Sequence, residues 1–390
     1  MEIIFITSRF PFPIDKGDKL RAYYQIKELS KDHNVHLLSI SDKNLNEKDT
    51  IKLMELCSGV HTFKINLFKR ILNLFKTFIN NKPFQVNYFY SKSIQRNIDN
   101  IIKEVQPDHI ICQLIRTAMY MKNQHQIPST IDYMDALSKG IQRRIPISNF
   151  WMKPILKMEF ERLKKFENLA YEFFENHIII SKADRESIAH PKNSKIKIIA
   201  NGIDTEIFKK HKFKKKYDLV FIGNLNYVPN VDTALYIGNK IIPELIKTYP
   251  DIKVLIAGSN PNNKVKKLSN KNITISGWVE DIKEAYLSGK IFFAPMKIGT
   301  GLQNKLLEAM SLEIPCITSP LANKALGAIN NHNILIGNNS QEHIAHIRYC
   351  LENDTAAKFI GLNGRDFVSE NFSWNKANEL LLNVLSKTNQ

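Results

Sequence analysis

Between Pro295 and Met310 the chain passes from an apolar, strand-like stretch through Gly299-Thr300-Gly301 into a helical pattern. That arrangement suits phosphate. A helix starting near Leu302 turns its free N–H groups and the positive end of its dipole back toward the loop. The amides around Thr300, Gly301, Leu302 and Gln303 would face an anion, and Lys297 and Lys305 add full charges. Glu308 lies further along the same helix, poorly placed for phosphate but well placed to accept hydrogen bonds from ribose hydroxyls. The bland alternative for these residues is a pair of loop glycines followed by a solvated Lys/Glu pair.

The first half offers fewer candidates. Asp132 and Asp135 follow the strand-like run Ser129–Tyr133, and strand-end carboxylates commonly face a ligand crevice. They could orient the hydroxyls of a ligand, although Asp132 could equally cap a helix. Arg116, shortly after the run ending at Cys112, is either a site residue or a solvated or salt-bridged arginine. Gly17, in Lys16-Gly17-Asp18 before a helical stretch, either approaches a diphosphate or makes a simple turn. Arg116 and Asp135 are the catalytic candidates. The four cysteines and eleven histidines show no ligand spacing, so no metal is expected.

The elements that would position these residues follow a βαβ rhythm. Short apolar runs recur at Ile3–Thr7, Val35–Ile40, His109–Cys112, Ser129–Tyr133 and His177–Ser181. The rhythm restarts at Tyr217–Ile222, Ile252–Ala257, Ile273–Ser276, Ile291–Ala294, Pro315–Thr318 and Ile334–Ile336. Two parallel-sheet domains in series are expected, consistent with 390 residues at about 200 per domain. Twelve of the fifteen glycines lie after Ala200, several at strand ends, including Gly223 followed by Asn224. Glycine there lets backbone approach a phosphate, so the second half reads as the nucleotide holder. The expected boundaries are 1–200, a lysine-rich linker over 201–216, a nucleotide-holding domain over 217–371, and a terminal helix over 372–390 with Ser373 as its N-cap.

Several segments resemble the family 4 glycosyltransferases. Leu307-Glu308-Ala309-Met310 with Ile314-Pro315-Cys316-Ile317 resembles their donor site, and Gly301–Met310 fits a subgroup reading GxQNKxLEAM. Asn201-Gly202-Ile203-Asp204 through Phe208 resembles their NGxDxxxF junction, and Phe221–Leu225 their first donor-domain strand and loop. The resemblance covers most of residues 196–375. It implies the GT-B architecture: two Rossmann-like βαβ domains facing a cleft, with the terminal helix packing back on the first. It also implies a nucleotide-sugar donor and transfer with retention, without a metal or other cofactor. Thr300 stands where the family usually has the first of two glutamates, and the loop after Gly223 lacks the usual basic residues, leaving Lys297 and Lys305 for the diphosphate.

The formal charge of +17 favours anionic partners. Lys64 to Lys82 holds five basic residues and no acidic one, with Phe68, Ile71, Leu72, Phe75, Phe78 and Ile79 at helical spacing. Such a helix either faces its own sheet or lies on an anionic bilayer. A second basic stretch, Lys139–Lys165, includes Trp151. The expected acceptor is a saccharide or polyprenyl-linked saccharide in surface polysaccharide synthesis, met in the cytoplasm or at the inner membrane face. No run of apolar residues is long enough to span a bilayer. RNP-like strands, helix-turn-helix and zinc patterns are missing, which argues against nucleic acid. Rival readings are a GT-B sugar-nucleotide 2-epimerase and a catalytically inactive nucleotide-sugar-binding protein.

Overall fold

The computed structural model describes residues 1–14, 16–41, 47–146, 148–204, 208, 211–298 and 302–386. The chain forms two compact units, Met1–Asn201 with Ala377–Gln390, and Gly202–Lys376.

The first unit is built on a seven-stranded sheet: β1 (Glu2–Thr7), β2 (Asn34–Ser41), β3 (Gly59–Lys64), β4 (His109–Gln113), β5 (Ser129–Asp132), β6 (Asn176–Ile179) and β7 (Lys197–Ile198). Its order is β3-β2-β1-β4-β5-β6-β7, with every pairing parallel. Ile3 pairs with Val35 on one side and His109 on the other. β1 is therefore central, and Ile3 to Ile6 are fully buried. A strand covered by helices on both faces has no polar side, which explains why it reads as a continuous apolar run. The chain reverses its direction of travel across the sheet between β1 and β4, where ligands of open α/β sheets bind.

The second unit repeats the plan with β8 (Tyr217–Ile222), β9 (Val254–Ala257), β10 (Ile273–Gly277), β11 (Gly289–Ala294), β12 (Cys316–Thr318) and β13 (Leu335–Ile336). Its order is β10-β9-β8-β11-β12-β13, again parallel, with the switch between β8 and β11. Residues 202–216 divide with this unit. Ile203 is buried in its core and Phe208 and Phe213 pack against it, so the aromatic residues hold down part of a stretch whose lysines read as a linker. Gly202 is needed for close approach: a Cβ there would lie 2.4 Å from the backbone nitrogen of Trp374.

Two strands go unforeseen in the sequence. β3 alternates half-buried and exposed residues at the sheet edge, and β7 is two exposed residues long, so neither carries an apolar run. The helix expected to start near Leu302 begins at Asn304. All four cysteines are buried and free. Among the described residues no helix is long and apolar enough to cross a membrane.

The helix Leu67–Asn80 is inside out. Among its described side chains the buried ones are Arg70, Asn73 and Thr77, whereas Phe68 (68%), Phe75 (65%) and Ile79 (84%) are exposed, as are Ile71, Leu72 and Phe78. Arg70 donates to the Tyr88 hydroxyl (3.1 Å) and Asn73 to the Tyr90 carbonyl (2.9 Å), so hydrogen bonds help hold the inner face. The same polarity marks the start of the helix Met152–Tyr171, where Phe150, Trp151, Met152 and Ile155 are exposed.

Candidate functional site

In the second unit, glycines crowd the carboxyl ends of β8, β9 and β10. The Gly223 amide donates to the Ala257 carbonyl (3.0 Å), and the Gly258 amide to the Gly277 carbonyl (2.8 Å). Gly258 sits at φ +141°, and a Cβ on it would fall 1.7 Å from the Gly223 carbonyl oxygen. The edge thus presents backbone where side chains would block a ligand. After Gly223 the chain turns through exposed Asn224, whose carbonyl accepts from Asn230 Nδ2 (3.0 Å), into the helix Val228–Tyr236. That helix has no side-chain cap at its start.

The helix Asn304–Ser311 packs beside this edge and supplies the charges. Leu306, Leu307, Ala309 and Met310 anchor it in the core, which turns Lys305 and Glu308, one turn apart, to a common side. Lys305 Nζ donates to Asn230 Oδ1 and lies 5.1 Å from the centroid of the Phe221 ring. Burial lowers its pKa to about 8, against the opposing pull of Glu308. Glu308 Oε2 accepts from the hydroxyl of fully buried Tyr286 (2.6 Å). Burial raises its pKa, while Tyr286 and Lys305 oppose the rise. The outcome is a partly desolvated cation and a partly desolvated carboxylate near glycine-lined strand ends, where each interaction with a ligand is strengthened by the lowered dielectric.

Lys297 is exposed and stands 3.8 Å from the centroid of the Tyr236 ring, while Leu302 packs on the core and Gln303 is the N-cap residue of the helix. Thr300 and Gly301 lie outside the described residues. Of the donor-binding candidates in this unit, Gly223, Asn224 and Lys305 thus come together through Asn230. Asn230, Tyr236 and Tyr286 are additions that the sequence did not mark. Asn230 carries one signal, its position in the first turn after the glycine loop.

The free Lys305 ammonium titrates at about 8. Losing its proton removes the charge that attracts a diphosphate, so nucleotide affinity should fall as pH rises through about 8, by at most roughly tenfold per pH unit. Lys305→Arg should flatten that limb. Calorimetric titration of nucleoside diphosphate between about pH 6.5 and 9.5 checks both.

In the first unit, Gly17 opens the helix Gly17–Leu29 at the carboxyl end of β1, and its missing side chain leaves open space. Asp18 pairs with Arg9 (2.8 Å), and its carbonyl accepts from Gln113 (2.8 Å) at the end of β4. Arg116 donates twice to Gln85 Oε1 (3.0 and 2.6 Å), while its remaining terminal nitrogen, Nη1, is buried without a partner among the described residues. Burial and Arg9 lower its pKa, and Asp18 and Asp135 oppose them. Asp135 reaches solvent, but surrounding protein raises its carboxyl pKa, reinforced by Asp184 and opposed by Arg116. Gly17, Arg116 and Asp135 therefore share one charged neighbourhood with Arg9, Asp18 and Asp184. Met134, just before Asp135, and Leu114, just before this arginine's turn, both hold positive φ (60° and 65°), conformations of the kind concentrated at functional sites.

Asp132 has a different place. It is fully buried, accepts from Arg21 Nε (2.5 Å) and Gln25 Nε2 (3.0 Å), and accepts from the Met134 amide (3.0 Å). Arg21, also fully buried, reaches Asn201 Oδ1 (3.0 Å). Every strong bond of Asp132 is internal, so it holds the site rather than facing a ligand. Glu167 is a further buried carboxylate, pushed up to about 7 by burial and holding the Ser138 amide and hydroxyl (2.9 and 2.5 Å). Among the described residues no group of His, Cys, Asp and Glu is arranged to hold a metal ion.

Residues 216–353 match the family described as glycosyl transferases group 1. An uncharacterized 44.6 kDa protein in the cps region of Klebsiella pneumoniae is 25% identical over 96% of this chain and 97% of that protein. An uncharacterized glycosyltransferase of Methanocaldococcus jannaschii, MJ1069, is 30% identical over 46% of this chain and 47% of its own length. Among solved structures, Anabaena Alr3699/HepE in complex with UDP has the same fold, with a TM-score of 0.67 at 14% identity, covering 99% of this chain and 100% of that one. Sucrose-phosphate synthase from Thermosynechococcus elongatus aligns with a TM-score of 0.66 at 13% identity over 100% of this chain and 99% of its own.

Proposed function

We propose that this chain, a glycosyltransferase of the group 1 type with the GT-B fold, takes a nucleotide-sugar donor on its second unit and transfers the sugar to a lipid-linked saccharide in surface polysaccharide synthesis. The observation that carries the reading is the pairing of half-buried Lys305 and Glu308 on one helix near the glycine-lined ends of β8 and β9. Lys305, Lys297 and the amides around Thr300–Gln303 neutralise the diphosphate, and Glu308 accepts from the ribose. UDP in the Anabaena structure and the cps-region setting of the Klebsiella relative support a nucleotide donor and a polysaccharide product.

Transfer proceeds with retention and without a metal. The bond from the anomeric carbon to the diphosphate breaks, the acceptor oxygen bonds on the same face, and the acceptor proton passes to the departing diphosphate oxygen. Protein cations and helix amides stabilise the negative charge on that leaving group. Gly17, Arg116 and Asp135 serve the acceptor side, Asp135 by orienting a hydroxyl.

The exposed apolar face of the helix Leu67–Asn80 supports a seat for the chain on the inner face of the membrane. A phenylalanine returned from water to an apolar phase contributes about 1.5 to 3 kcal/mol, and the flanking basic residues add attraction to anionic lipid. The decisive experiment exposes purified protein to a panel of UDP, GDP, ADP and dTDP sugars, following thermal stabilisation and slow donor hydrolysis. One base class should stabilise the protein and its sugar nucleotide should hydrolyse. Indifference to every nucleotide would defeat the proposal, and stabilisation without any turnover, even with acceptor, would leave a binding protein.

A further inference from the structure

The helix Leu67–Asn80 forms one wall of a cavity of about 550 Å³ in the first unit. Asn87, Tyr90 and the start of the helix Lys92–Val105 also line it. We infer that this cavity seats the phosphate of a phosphorylated lipid whose hydrocarbon chain lies along the exposed apolar face of Leu67–Asn80. The inference deepens the lipid-linked acceptor reading and rests on the membrane placement of that helix.

Charge is the first argument. Lys76, Lys82 and Lys92 all line the cavity, and no acidic residue does. None of the three forms an ion pair with a carboxylate among the described residues. Lys76 donates to Asn73 Oδ1 (3.1 Å), and Lys82 stands 5.7 Å from the centroid of the Tyr90 ring. Burial and the neighbouring charge of Lys122 hold the Lys82 pKa down, a strain that a bound anion relieves. The nearby carboxylate Asp99 is already engaged by Gln95 (2.9 Å) and Gln124 (3.0 Å).

Backbone is the second argument. The fourteen-residue helix Lys92–Val105 starts at Ser91, whose side chain makes no cap and instead meets Ser93 Oγ (3.0 Å). Its first-turn amides and dipole therefore add positive potential to a cavity already lined by three lysines.

Continuity is the third. Leu72 belongs both to the cavity wall and to the exposed face of its helix, so the polar seat and the apolar track adjoin. A ligand that fits both has an anionic head and a hydrocarbon tail. A second copy of the chain is a poor occupant, because Lys64 to Lys82 carries five basic residues and no acid, and two such faces repel.

The test is flotation of the full chain with vesicles of phosphatidylcholine, alone or with a phosphodiester lipid (phosphatidylglycerol) or a phosphomonoester lipid (phosphatidic acid or a polyprenyl phosphate), matched in surface charge. Wild type should bind the monoester vesicles roughly tenfold more tightly than the diester ones. The triple variant Lys76→Gln, Lys82→Gln, Lys92→Gln should lose that ratio, as should Ser93→Asp, which leaves the lysines in place. A control triple, Lys264→Gln, Lys266→Gln, Lys267→Gln, should keep it. A wild type without the preference, or cavity variants that retain it, would overturn the inference. Phe75→Ser with Ile79→Ser tests the underlying reading separately: undiminished flotation removes the membrane face. Inorganic phosphate bound as tightly as the lipid, measured with Lys305→Gln to silence the donor site, overturns the assignment to a lipid.

Discussion

Glu308→Ala should weaken nucleoside diphosphate binding roughly 100-fold or more while leaving inorganic pyrophosphate binding within about threefold. Hydrogen bonds to a charged acceptor contribute about 1.5 to 3 kcal/mol each, and two ribose hydroxyls are available to make them. Glu308 is prepared for this, since Tyr286 fixes one carboxylate oxygen at 2.6 Å and leaves the other for a ligand. Removing the carboxylate also strands the Tyr286 hydroxyl, which is fully buried. A stability loss of about 1 to 3 kcal/mol should therefore accompany the binding loss. Glu308→Gln separates the two, because its amide oxygen still accepts from Tyr286 while the charge is gone: stability should hold and affinity should fall to an intermediate value. A 2′,3′-dideoxynucleoside diphosphate should bind wild type and Glu308→Ala alike. Equal loss for the dideoxy and ordinary nucleotides would move the ribose elsewhere.

What the sequence made legible follows from how local each signal is. β1, β8 and β11 are apolar because both sheet faces are covered, and that can be read from six residues at a time. β3 hides because an edge strand keeps one side in water. Lys305 and Glu308 were readable as a pair because helical spacing alone puts them on one side. Their depth was not, since it depends on Phe221, Asn230 and Tyr286 arriving from elsewhere in the unit. The helix Leu67–Asn80 shows the limit most plainly. Its periodicity announced an apolar face and a polar one, and the pattern is the same whichever of them is turned inward. Only the partners of Arg70 and Asn73 decide that the polar face is inside. The internal role of Asp132 was hidden for a similar reason: its partner Arg21 is 111 residues away in sequence.

That distinction yields the other large effect. Asp132→Ala leaves the Arg21 guanidinium charged, fully buried and without its carboxylate. Breaking one side of such a pair costs about 3 to 5 kcal/mol, because the surviving charge keeps its desolvation penalty and loses its compensation. In a unit of this size the melting temperature should drop by roughly 10 °C. If the loss comes from the stranded charge, removing both charges should undo much of it, so Arg21→Met with Asp132→Leu should recover at least about half of the stability. Asp135→Asn makes the opposite prediction. Its carboxyl reaches solvent and carries no internal bond comparable to those of Asp132, so the melting temperature should stay within about 1 °C. Transfer should nevertheless slow roughly 100-fold if that carboxylate orients the acceptor hydroxyl, the scale of loss expected when a reacting group is misplaced by about 1 Å. Melting curves and turnover measured on the same two proteins therefore divide adjacent carboxylates into a support and a working group. A stable, inactive Asp132→Ala or an unstable Asp135→Asn would exchange those roles.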